Sequence, residues 1–95
     1  MTDLEKLPSP SLAHLPLSQY AVMREGYGGV PEFFSTKMVG FWVSRLKEFD
    51  KINFQNWDLA NMWAEHFRAR GDEAVTFVPW LEVKYILSLR EFFDE

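Results

Sequence analysis

The chain contains no cysteine. That excludes a disulfide framework, a thiolate zinc site and a cysteine nucleophile together, and it accords with a reducing compartment. Basic residues are also short: ten Lys and Arg stand against fourteen Asp and Glu, for a net charge of −4 and a pI near 5.1. A dedicated nucleic-acid binder presents a basic face, so this balance counts against that class. No run of about 18 apolar residues occurs, and the N-terminus reads without a charged-then-apolar leader. The expectation is a soluble, cytoplasmic protein with no membrane partner.

Catalytic and metal-binding motifs are missing as well. No Gly-x-Ser-x-Gly elbow occurs, and a serine triad would further need a base and an orienting acid. His14 and His66 lie far apart in the chain. Glu65 adjoins His66, so on a helix their side chains diverge and make no ligand pair. Asp58 and Glu65, two turns apart, read as solvated helix acids rather than a carboxylate pair. Gly26-Tyr27-Gly28-Gly29 lacks the Lys-Ser/Thr of a phosphate loop and reads as a sharp turn whose glycines supply positive φ. These absences predict a protein that is not an enzyme and uses no metal or cofactor.

What the chain does have is apolar bulk. At 95 residues it is one domain, and 47% hydrophobic content argues against disorder for most of it. Nine Phe, four Trp and three Tyr are more rings than a small core needs. Rings in excess of a core suggest a surface that meets a partner.

Residues 1–17 stand apart as a Pro/Leu-rich extended arm. Thr2 and Glu5 have capping-box spacing, but Pro8, Pro10 and Pro16 stop any helix there. The remainder, 18–95, is expected to be a single all-α domain. Its short first helix runs near 18–25, capped by Ser18 and stopped by Gly26, with Tyr20, Ala21 and Met23 inward. A central helix spans 31–51, opened by Pro31 and carrying Phe34, Met38, Phe41 or Trp42, Leu46 and Phe49 at steps of three and four. Ser35, Lys37, Ser44, Lys47, Glu48 and Lys51 fall on its solvent side. A third helix, 57–70, takes Asn56 as N-cap, Asp58 in its first turn and Gly71 as its C-terminal stop. Leu59, Trp63 and Phe67 line its inner face.

Ala74-Val75-Thr76-Phe77-Val78 has strand composition but no obvious partner strand, so it reads as an extended connection with Phe77 and Val75 buried. The last helix, 79–93, carries two apolar stripes. One is Leu81, Tyr85, Leu89 and Phe92; the other is Val83, Ile86 or Leu87, and Phe93. The expected core is Phe34, Met38, Trp42, Leu46, Phe49, Leu59, Trp63, Phe67, Leu81, Ile86, Leu89 and Phe92. A small bundle of three main helices plus a short one has difficulty covering two such wide apolar helices.

That surplus predicts a protein-interaction module acting through an aromatic-rich helical surface, as an adaptor, assembly factor or inhibitor. The partner is another protein or a second copy of the chain. Leu12, Leu15 and Leu17 of the arm, with Gly40, Trp80 and Tyr85, are the candidate interaction residues. The alternative is a nucleic-acid-associated accessory protein using a basic strip of Arg45, Lys47, Lys51, Arg68 and Arg70. That strip requires the 31–51 and 57–70 helices to lie side by side. Residues 30–71 carry those five bases and Lys37 against five acids, Glu32, Glu48, Asp50, Asp58 and Glu65.

Overall fold

The computed structural model describes residues 19–93, and they form a mixed α/β unit. The expected all-α helical bundle is overturned. Strands β1 (Tyr20–Glu25), β2 (Pro31–Phe34), β3 (Trp42–Val43) and β4 (Thr76–Pro79) make one antiparallel sheet in the order β3-β2-β1-β4. Helix α1 (Trp57–Ala69) precedes β4, and α2 (Trp80–Phe93) follows it. Two short 3₁₀ segments, Tyr27–Gly29 and Leu46–Lys51, complete the path.

The two expected N-terminal helices are the error. Residues expected as a helix over 18–25 form β1, and the expected 31–51 helix is a strand, a loop, a strand and a 3₁₀ segment. The eight-residue interval from Phe34 to Trp42 does bring two rings together, but across a hairpin: Phe34 pairs with Trp42 in β2–β3 register. Their ring centroids lie 6.0 Å apart. Pro31 opens β2 rather than a helix, a strand position at which its missing N–H is tolerated. Gly40 and Phe41, at φ +90° and +69°, cannot sit in a right-handed helix.

Between β1 and β2 the glycine turn forms as expected. Gly28 and Gly29 take φ +72° and +80°, and the Gly26 amide donates to the Val30 carbonyl at 2.6 Å. Ala74–Val78 also departs from expectation, because its missing partner strand is β1. Ala21, Val22 and Met23 align with Val78, Phe77 and Thr76.

Both faces of the sheet are covered. On one face Val22 and Phe34 pack with Ala60 and Ala64 of α1 and with Val75. On the other, Ala21, Phe33 and Val43 pack with Ile52 and with Val83 and Leu87 of α2. The stripe of α2 that turns inward is therefore Val83 and Leu87. Leu81 and Leu89, expected in the core, are 56% and 40% exposed, and Leu59 is 44% exposed. Ser35, expected in solvent, is fully buried; its hydroxyl donates to the Lys51 carbonyl at 2.6 Å, which makes the burial tolerable.

Helix α1 is built as its sequence reads. The Asn56 side chain accepts from the Leu59 amide at 2.8 Å. At the other end the Gly71 amide donates to Arg68 and the Asp72 amide to Phe67, both at 3.1 Å, with Gly71 at φ +102°. This is the paired bonding of a Schellman stop, and the left-handed residue it needs is a glycine. The arm 1–17, including Leu12, Leu15 and Leu17, lies outside the described residues, as do His14, Ser18 and the side chains of Phe92 and Phe93.

Candidate functional site

A groove of about 450 Å³ lies between the β2–β3 loop and the second half of α1. Phe34, Thr36 and Phe41 line one side; Trp63, His66, Phe67 and Arg70 line the other, with Asp72 at the end. Trp63, His66 and Phe67 of α1 and its C-cap Arg70 are spaced i, i+3, i+4 and i+7, which follows one helix face to its end. Ala60 and Ala64 bring that helix close to the sheet, being fully buried against Val22 and Phe34. The face bearing Trp63 and Phe67 consequently meets the rings of the hairpin.

Those rings form a continuous aromatic wall. Phe34 lies 4.7 Å from Trp63 and 5.3 Å from Phe67, centroid to centroid. Trp42 lies 5.0 Å from Phe67, and His66 lies 5.6 Å from Trp63 and 5.4 Å from Phe67. Tilted and edge-on arrangements at such distances satisfy the ring quadrupoles and leave little freedom to slide. Behind the wall the Arg24 guanidinium sits 4.0 Å from the centre of the Trp42 ring. Its Nε donates to Glu32 at 2.9 Å and its Nη1 to Asp72 at 3.4 Å. Asp72 thus reaches the groove already paired.

Phe41 forms the lip. It is 54% exposed and is the single non-glycine residue at positive φ among the described residues. The loop that holds it is tied at several points. The Thr36 amide donates to Asn53 Oδ1 at 2.8 Å, the Lys37 amide to Ser35 Oγ at 3.0 Å, and the Ser35 amide to the Phe41 carbonyl at 2.9 Å. A bulky residue kept in left-handed backbone by such bracing is the kind of strain that concentrates at recognition sites.

The residues expected to form an interaction surface are dispersed. Gly40 adjoins Phe41 at the groove, and a Cβ there would meet nothing within 4 Å. No other backbone approaches it closely, so the reason for its glycine is its φ of +90°. Trp80 and Tyr85 are on α2, across the sheet. Trp80 is half-buried, 6.2 Å from Phe49, while Tyr85 is 64% exposed between Leu81 and Leu89. The basic residues divide as well. Arg45, Lys47 and Lys51 belong to the 3₁₀ region packed with α2, whereas Arg68 and the C-cap Arg70 stand at the end of α1, which covers the opposite face. The paired helices that were to align them do not form.

Reading the sequence for sites singled out neither Phe41 nor the groove. The i, i+3, i+4, i+7 pattern from Trp63 to Arg70 was the available signal, and half of it, Trp63 and Phe67, had been assigned to the core. Among the described residues no group of three or more His, Asp or Glu is arranged to hold a metal ion, and no helix is long and apolar enough to cross a membrane. Compared with protein-family models, curated proteins and solved structures, the chain matches none.

Proposed function

We propose that this chain is a small non-enzymatic protein-interaction module whose recognition site is the α1 groove. Its occupant is a short segment of another protein that inserts one large apolar side chain between Phe41 and the Trp63–Phe67 face. The observation carrying this reading is the exposed Phe41 at positive φ on the lip of a preformed aromatic groove. Aromatic-lined clefts with a few polar groups at the rim are the usual form of a specific binding site. Rigid rings also supply contact area at small entropic cost, which is why they dominate the hot spots of protein interfaces. The reading includes a cytoplasmic setting, supported by the absence of cysteine.

The test is selection of a random peptide library on the full chain, with Phe41→Ala as the parallel target. The reading expects enriched peptides that share a Trp, Phe or Leu anchor and are not enriched on Phe41→Ala. Amide shift mapping of such a peptide should move residues 34, 41, 63, 66, 67 and 70. Enrichment indifferent to Phe41, or shifts confined to α2, would sink it.

A further inference from the structure

We infer that the segment taken up by the groove carries a carboxylate beside its apolar anchor, so that the partner motif is acidic as well as hydrophobic. This rests on the groove being a protein-recognition site. The ground for it is the charge left over at the rim once internal pairings are accounted for. Three ionic groups reach the aromatic wall: Arg24, Asp72 and Arg70. Arg24 and Asp72 are paired with each other, and Arg24 also holds Glu32. Of the neighbouring cations, Arg68 is turned away and donates to the Val75 carbonyl at 3.3 Å. Of these three ionic groups Arg70 alone has no ion-pair partner among the described residues, and it is exposed at the groove's edge.

The rim therefore offers one uncompensated positive group, the Arg70 guanidinium, beside an apolar slot, on a protein whose net charge is −4. Local positive charge on an acidic molecule selects the partner's orientation rather than attracting acids generally, because the remainder of the surface repels them. Guanidinium suits a carboxylate by its forked donor geometry. Single-stranded nucleic acid also stacks on rings, but it needs a groove of several cations tracking its backbone. A single unpaired arginine, with Asp72 in the same lining, fits a carboxylate better than a phosphate chain.

The experiment uses library-selected peptides, synthesised as selected and with Asn and Gln replacing each Asp and Glu. Fluorescence anisotropy is measured on the full chain and on Arg70→Gln, with labelled oligothymidylate alongside. The acidic peptides should bind about fivefold tighter than their amide isosteres, as befits one partly exposed ion pair of about 1 kcal/mol. That advantage should shrink at high salt and disappear in Arg70→Gln, while the amide peptides bind both proteins alike. Selected peptides without acids, or equal affinity of acid and amide forms, would overturn the carboxylate and leave the groove reading standing. Absence of any peptide dependent on Phe41 would overturn both, as would oligothymidylate binding more tightly than every peptide.

Discussion

Replacing Phe41 by glycine and by alanine makes a test in which the expected order is the reverse of the usual one. At an ordinary position glycine is less stable than alanine by about 0.5–1 kcal/mol, because it surrenders more backbone freedom on folding. Phe41 stands at φ +69°, where a residue with a Cβ is disfavoured by about 1–2 kcal/mol and glycine is not. Both variants lose the same half-exposed ring, so that loss cancels in their difference. What remains favours glycine by about 1 kcal/mol. For a domain of this size that corresponds to a melting temperature about 5 °C higher for Phe41→Gly than for Phe41→Ala. Thermal unfolding followed by far-UV circular dichroism reads the difference directly, and urea titration supplies it as a free energy. Peptide binding should fall alike in both, since neither has the lip. An alanine variant as stable as the glycine variant would refute the left-handed backbone, and with it the argument that the lip is held under strain.

Three further outcomes follow from the packing. Leu87→Ala should destabilise by about 3 kcal/mol and Leu89→Ala, at a 40% exposed position, by about 1 kcal/mol, although they lie two residues apart on α2; equivalent urea midpoints would contradict the inward stripe of Val83 and Leu87. Trp63→Ala removes a partly buried ring that contacts Phe34, Phe67 and His66, and should cost about 3 kcal/mol, the lower end for such truncations. Wild-type stability there would move the ring out to solvent. Asn56→Ala should cost about 1 kcal/mol through the lost bond to the Leu59 amide, checked by the same titration.

How much of this was legible depends on where the deciding forces act. Helix α1 was legible because its signals are local: Asn56 before the first turn, Gly71 after the last, and the Trp63–Phe67 spacing between them. The strands were not, because both sheet faces are covered. Ala21, Val22, Phe33 and Phe34 are all buried, so β1 and β2 show no alternation of apolar and polar residues. A short continuous apolar run does not distinguish a doubly covered strand from part of a buried helix. The β-branched and aromatic content of these runs pointed toward strands, a weaker signal than the three-and-four spacing it competed with. Once Val75–Val78 was denied a partner, the last cue for a sheet was lost. The outward stripe of α2 failed for a related reason, since two stripes were visible and only the sheet decides which one is covered.

The groove was illegible for a deeper reason: it is assembled from contacts distant in the chain. Its lip depends on Asn53 holding Thr36 and on Ser35 holding the Lys51 carbonyl, bonds that span 17 and 16 residues. Ser35, which read as a solvent residue, is the buried pivot of that bracing. Its hydroxyl donates to one backbone group and accepts from the Lys37 amide, so the buried hydroxyl is met both as donor and as acceptor. Because the loop is braced by hydrogen bonds within the chain, an occupant of the proposed site would not have to order it, and that saving would add affinity that a small groove's area alone does not supply. The same bracing explains why Phe41 can persist at positive φ: the loop's hydrogen bonds oppose its relaxation. The recognition proposed for this groove would thus be a property of the hairpin's pairing and its polar ties, with the aromatic residues as the contact material they hold in position.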